Sequence, residues 1–288
     1  MSQYWVIVDV SGMAYRSLNV MGKLAHEGAA TGVVYGCYLA IKQLLDDYDT
    51  QNLVAVFDGG HTMRSELLPG YKASRAKRRA EASPEERQAR ADLVRQLAEL
   101  RTVHLPACGV ENVLWEQGFE ADDIIAASCQ MMGEEDAAVI VSADSDLWQC
   151  LRPGVQWLST NKAAKIQKMS YRLFIEKHGI EPCQWPHVKA WGGCDSDDIP
   201  GLDGVAEKTA LKWVRGEISA SSAYYPRFVN GIEIFNRNIQ LTKLPCPGLP
   251  PPQLMPQSKR IRWEPLLTAI GAKVPREESK KAGFGFGP

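Results

Sequence analysis

The chain has seven cysteines, an odd number, and no two of them form a Cys-x-x-Cys pair. That scatter excludes the common structural zinc sites and a disulfide framework, and it fits a reducing compartment. Long apolar runs are missing too: none reaches the roughly 18 residues of a membrane-spanning helix. The opening Met1-Ser2-Gln3-Tyr4-Trp5 lacks the basic start and cleavage site of a secretory leader. Val6-Ile7-Val8 instead runs straight into Asp9, as a strand would. The expectation is a cytoplasmic protein, nucleoid-associated or within a phage-infected cell, with no membrane partner. Net charge is almost absent, at −1, so the total points to no polyanionic partner. The sequence has no internal repeat and no heptad seam.

What is present is an ordinary core-forming composition. The 288 residues are 45% hydrophobic, enough for one large or two modest domains. Charge is unevenly spread. Residues 71–80 carry five bases and no acid: Lys72, Arg75, Lys77, Arg78 and Arg79. Arg87, Arg90, Arg95 and Arg101 follow. A solvated helix face gives such a run; so does a surface that receives phosphates.

Short apolar runs at 4–8, 53–57 and 137–141 read as buried parallel strands, with a fourth at 155–158. Helical spacing covers 31–48. Ser83-Pro84-Glu85-Glu86 combines an N-cap, a first-turn proline and a capping-box glutamate, and so starts a helix reaching about residue 100. Another helix opens at Glu120. Strands alternating with helices imply an α/β fold with a central, mostly parallel sheet flanked by helices. Beyond about residue 170 helices and turns take over. Residues 244–257 hold six prolines and read as an extended stretch with little core. Residues 280–288 are expected to fray.

The acidic residues fall at particular places. Asp9, Asp58, Asp144 and Asp146 follow apolar runs, at the strand carboxyl ends where such sheets gather ligands. Glu120, Asp122 and Asp123 sit at a helix start, and Asp195, Asp197 and Asp198 precede a glycine turn. Each alone reads as a cap. Together at one edge they would repel, raising one another's pKa and destabilising the fold. Divalent cations relieve that repulsion, which points to Mg²⁺ or Mn²⁺ and phosphate-ester chemistry.

The ordered set Asp9…Tyr15-Arg16, Phe57-Asp58, Arg64…Tyr71-Lys72-Ala73-Ser74-Arg75, Gly118-Phe119-Glu120-Ala121-Asp122-Asp123, Ser142-Ala143-Asp144-Ser145-Asp146 and Asp197-Asp198-Ile199-Pro200-Gly201 resembles the structure-specific 5′-nuclease family. That family comprises flap endonucleases, phage 5′-exonucleases and the 5′-nuclease domain of bacterial repair DNA polymerases. The resemblance runs from about residue 4 to 243, with no polymerase expected on the chain. It implies a PIN-like nuclease core at 1–175 with a helical arch within 72–100, a helix–hairpin–helix subdomain at 176–243, and a proline-rich extension at 244–288.

By position, the resemblance implies a first divalent ion on Asp58, Glu120 and Asp122 with Asp9 nearby. A second would lie on Asp144, Asp146 and Asp197, with Asp123 assisting through water. Lys72 and Arg75 would stabilise phosphate charge, and Tyr71 would stack on a terminal base. Arg64, Lys77, Arg78 and Arg79 would contact DNA. Gly201, Gly204, Lys208, Thr209 and Lys212 would hold the duplex, with a K⁺ ion at the hairpin. The implied partner is DNA with 5′ flaps, nicks, gaps or ends, bound by a monomer; nothing points to particular replication partners. One departure stands out. Where the family reads Gly-Asp-x-x-Asp-Asn-Ile-Pro-Gly, this chain has Cys194 for the first Asp and Asp198 for the Asn. The expectation is a weakened or rearranged second site that prefers Mn²⁺, with Asp195 or Asp198 able to compensate. Two other readings remain: a non-catalytic junction binder with a degenerate metal site, and an aspartyl-nucleophile phosphatase. The latter would want Asp-x-Asp at the first strand end, where this chain has Asp9-Val10-Ser11.

Overall fold

A computed structural model describes residues 3–161 and 166–274. Six strands form the main sheet: β1 (Tyr4–Asp9), β2 (Leu53–Val56), β3 (Asn112–Leu114), β4 (Ala137–Ser142), β5 (Val155–Ser159) and β6 (Lys168–Ser170). Their order is β3-β2-β1-β4-β5-β6; only β6 runs antiparallel to its neighbour. Central strands buried on both faces explain the continuous apolar runs.

Period-2 alternation divides those runs between two cores. Trp5, Ile7, Val54, Val56, Ala138, Ile140 and Trp157 face one side. There they meet helix α5 (Ala121–Met131) and the later helices α6 (Trp185–Gly192) and α7 (Glu207–Val214), together with Trp148, Phe174 and Phe228. Val6, Val8, Leu53, Ala55, Phe57, Val139 and Val141 face the other side. Helices α1 (Val10–Met21), α2 (Gly32–Asp47) and α4 (Pro84–Glu99) cover that face.

The arch consists of α3 (Ala73–Ala80) and α4. The predicted N-terminus of α4 forms as read: Ser83 Oγ accepts from the Glu86 amide at 3.2 Å, and Glu86 accepts from the Ser83 amide at 2.7 Å. Helix α3 buries none of its residues, which explains the lack of large apolar side chains there. Helix α8 (Ile232–Thr242) packs on α6 and completes the helical part.

The expectation of little core at 244–257 holds for most of that stretch, where only Leu244 and Cys246 are buried, Leu244 against the first core. Beyond it, Ile261 and the α9 residues (Glu264–Ala269) Leu266 and Leu267 are buried in the second. Asn112 fastens the strap between them, accepting from the Met255 amide at 2.9 Å and donating to its carbonyl at 2.8 Å. The prolines set an extended path, but the apolar residues between and beyond them decide burial. The expected fraying at 280–288 lies outside the described residues.

Candidate metal centre

The metal-candidate acids come together because neighbouring parallel strands end at one edge. β2, β1 and β4 lie side by side, and their carboxyl ends carry Asp58, Asp9 and Asp144. Asp9 caps α1, accepting from the Gly12 amide at 2.8 Å, and Ser142 Oγ donates to its other oxygen at 3.2 Å. Asp144 caps the turn that follows β4, accepting from the Asp146 amide at 2.8 Å. Asp58 accepts from the Gly60 amide at 2.8 Å. The start of α5 brings in Glu120 and Asp122, and the turn after α6 brings in Asp197.

Electrostatics register the crowding. Burial pushes Asp9 up to about 6, and the Asp58 and Asp144 charges add to it. Burial, then Asp144, Asp9 and Glu120, hold Asp122 well above the usual carboxylate range. Asp146 is pushed up to about 7 by burial and by Asp144, against the pull of Lys189. Asp58 and Asp197 are raised chiefly by desolvation. Glu120 goes the other way: burial opposes its charge, but Lys72 and Arg64 overcome that and hold it below the usual range. A rim on which five carboxyls are held above their ordinary values is short of positive charge.

The basic residues divide into two groups. Lys72, at a left-handed φ of 54°, places its ammonium against Glu120 and 3.6 Å from Asp197 Oδ1. Arg75 reaches Asp197 at 2.9 Å. Lys77, Arg78 and Arg79 stand exposed on α3. Arg64 does not join them, and its expected DNA contact is corrected. Its guanidinium is 3% exposed and pairs with Asp123 at 2.5 and 2.7 Å, with Glu120 at 3.2 Å and with the Leu241 carbonyl at 2.9 Å. Four of its five N–H donors are engaged and the group is buried, so it is not presented to a phosphate.

The same pairing corrects Asp123. Fully buried, it binds Arg64 and accepts from the Cys246 amide at 2.7 Å, so it serves the fold and not a metal-bound water. Tyr71 is also turned inward. It is buried, its hydroxyl donates to Glu120 at 2.7 Å and its ring meets His61 edge-on, so it offers no open face to a base. Asp198 does not replace the missing aspartate: its carboxylate accepts from the Ser74 amide at 2.9 Å. Asp195 is exposed and stays outside the cluster.

Sequence reading missed Lys189 and did not count Cys194, which it marked as a departure, among the possible ligands. Lys189 lies 3.6 Å from Asp146 and 3.0 Å from Glu207; nothing in its local sequence marks that reach. Cys194 Sγ, Asp146 and Asp197 present ligand atoms all within 4.8 Å of one another. The two halves of the centre therefore differ in donor chemistry. Asp9, Asp58, Glu120 and Asp122 offer only oxygen, which fits a hard divalent ion. The half around Asp146 and Asp197 includes a sulfur.

At the helical end, Gly201 packs against the end of α6; a Cβ there would lie 2.3 Å from the Gly192 carbonyl carbon. Gly204 takes φ +68° beneath the Arg227 guanidinium. Lys208 and Lys212 are exposed on α7, with Thr209 half-buried between them. Among the described residues, no helix is long and apolar enough to cross a membrane.

A mostly parallel sheet flanked by helices, with carboxylates along one edge and the basic helix α3 beside them, gives the chain a PIN-like nuclease fold. The chain belongs to the 5′-3′ exonuclease family: the model of its N-terminal, resolvase-like domain matches residues 4–179. DNA polymerase I of Mycobacterium leprae is 32% identical over 215 residues, 73% of this chain but 22% of that protein. The chain thus spans about a fifth of the length of such relatives. A phage T5 5′-exonuclease structure with bound zinc has a similar fold, with a TM-score of 0.70 at 22% identity, covering 84% of this chain and 90% of that one. A T5 flap endonuclease solved with DNA and metal ions gives 0.69 at 22% identity, with the same coverage of 84% and 90%.

Proposed function

We propose that the protein is a divalent-metal-dependent 5′-nuclease that hydrolyses phosphodiesters near the 5′ ends of DNA, as an exonuclease and a flap endonuclease. The observation that carries this is the convergence of Asp9, Asp58, Glu120, Asp122, Asp144, Asp146 and Asp197 on one sheet edge, with raised carboxyl pKa values at five of them. In this reading Asp58, Glu120 and Asp122, with Asp9 nearby, hold one Mg²⁺ or Mn²⁺ ion. Asp144, Asp146 and Asp197 hold a second divalent ion, whose identity the neighbouring Cys194 sulfur bears on. Such an ion pair supplies an activated water and stabilises the leaving oxygen.

The protein's own groups do the rest. Lys72 and Arg75, poised over Glu120 and Asp197, swing to the scissile phosphate and balance its developing charge. A cavity of about 820 Å³ lies between α1 and the arch, lined in part by Tyr15, Lys23, Arg78, Arg79 and Arg90. It suits a single strand threading from its free end. Tyr15 is 48% exposed and hydrogen-bonded by Arg90 at 3.2 Å, so it takes the stacking role that buried Tyr71 does not offer. The loop 201–206 with Lys208, Thr209 and Lys212 would hold duplex phosphates, and a K⁺ ion held by that loop would add positive charge there. The protein works as a monomer in the cytoplasm.

The test is a 5′-labelled flap and a blocked-end flap, incubated with Mg²⁺ and then with Mn²⁺. Short 5′ products from the free end, lost in Asp122→Ala and Asp144→Ala, are expected. Cleavage that persists in excess EDTA would overturn the reading, and binding without cleavage in either ion would favour a junction binder.

A further inference from the structure

We propose that Asp146, Cys194 and Asp197 form a mixed oxygen–sulfur metal subsite that takes a borderline or soft ion, Zn²⁺, Co²⁺ or Cd²⁺, in preference to Mg²⁺. This rests on the metal-centre reading above but does not require catalysis. Three donors from separate parts of the chain meet here: the turn after β4, the two-residue strand β7 (Gly193–Cys194), and the turn behind it. Their ligand atoms lie within 4.8 Å of one another. Metal–sulfur bonds of about 2.3 Å and metal–oxygen bonds of about 2.0–2.2 Å put donor pairs no more than about 4.5 Å apart. At tetrahedral angles the same bonds set donor pairs about 3.4–3.7 Å apart, so the widest pair closes by up to about an ångström, within the reach of side-chain rotation.

Local geometry keeps the thiol available. Cys194 pairs with Ile199 in a short antiparallel bridge to β8 (Ile199–Pro200), which fixes its backbone. Its Sγ meets Ser196 Oγ at 3.1 Å, a weak contact that a metal–sulfur bond replaces. The side chain is half-buried, so an ion can reach it from the open rim. Lys189, 3.6 Å from Asp146, is held on its far side by Glu207 at 3.0 Å, so that carboxylate retains it when an ion arrives.

Chemistry then sets the preference. Mg²⁺ demands about six hard oxygen donors at about 2.0–2.1 Å and gains little from sulfur. Thiolate ligands select zinc-like ions, whose affinity also exceeds that of Mn²⁺ for such sites. As the ion binds, the Cys194 thiol proton passes to solvent and the sulfur lone pair forms the bond. The two halves of one rim thereby differ: the oxygen half fits Mg²⁺, and the sulfur-bearing half does not.

The experiment is a Co²⁺ titration of the full chain, followed by its sulfur-to-cobalt charge-transfer absorption, with excess Mg²⁺ present. A band that saturates near one equivalent is expected, and it should disappear in Cys194→Ser. Cys194→Asp should also abolish the band and weaken Co²⁺ relative to Mg²⁺ by on the order of tenfold or more. The six other cysteines are controlled by the difference between wild type and Cys194→Ser. Identical spectra for those two proteins, or full displacement of Co²⁺ by equimolar Mg²⁺, would overturn the proposal. Flap cleavage in Mg²⁺ without the band would sink this inference and spare the nuclease reading. The band without cleavage in any ion would do the reverse.

Discussion

Removing the Arg64 guanidinium would leave the buried Asp123 carboxylate without its counter-charge, while Glu120 keeps Lys72 and Tyr71. Asp123 has 0% exposure, so it cannot recover its hydration. Arg64→Ala is expected to cost about 3–5 kcal/mol, as losing one partner of a buried ion pair does. A shifted denaturant midpoint with an unchanged salt slope for DNA binding would agree; unchanged stability with a shallower slope would restore Arg64 to the DNA surface. Lys72→Ala should slow single-turnover cleavage by on the order of 10²–10³ while DNA affinity holds. A loss confined to affinity would remove Lys72 from the chemistry. The acids were legible in sequence because a strand end fixes direction: Asp9, Asp58 and Asp144 needed only a parallel sheet to converge. Arg64 and Asp123 were misread for the opposite reason. Their pairing spans 59 residues, and no local pattern announces a partner so far along the chain.

At the level of elements, boundaries were legible where local chemistry writes them. Ser83-Pro84-Glu85-Glu86 set the start of α4 through a side-chain cap that needs no tertiary partner. Ser83→Ala should destabilise that turn by about 1 kcal/mol. Faster amide exchange in the first turn of α4, with exchange in β1 unchanged, is the expected readout; uniform change through the protein would show that the arch unfolds only with the core. β3 and β6, each three residues long, were not read, because a period of two cannot be recognised in so short a run. The buried helix α9, beyond the proline stretch, was not read. Leu266 is fully buried, and Leu266→Ala should cost about 2–5 kcal/mol in thermal or chemical unfolding. No loss would mean that α9 contributes nothing to the second core.

Across the whole molecule, the rim makes stability depend on pH and on metal. In the folded, metal-free chain Asp9 sits near 6 and Asp146 near 7, against 3.8 when unfolded. The folded form therefore binds those protons more tightly. The stabilisation is complete below about pH 4 and lost as pH rises through 6 and 7. Glu120, held low, contributes stability that is present above its ordinary 4.5 and lost only as pH falls below it. His104, His178 and His187, each lowered chiefly by desolvation, oppose the trend below 6.5, so a variant must isolate it. In EDTA, Asp146→Asn should melt higher than wild type at pH 8 and lose that advantage by pH 5, and divalent ions should raise the wild type at pH 8. An advantage of equal size at both pH values would refute the assignment. The helical part and the sheet share one hydrophobic core, in which Leu202, Val205 and Phe228 join the same cluster as Ile7 and Val54. Arg64 adds a buried rivet from α5 to the end of α8. If the proposed function holds, a clamp that grips duplex at one end and blades that cut at the other would be built on a single ruler. The length of strand left between grip and cut would then be fixed by the protein, whatever the length of the flap.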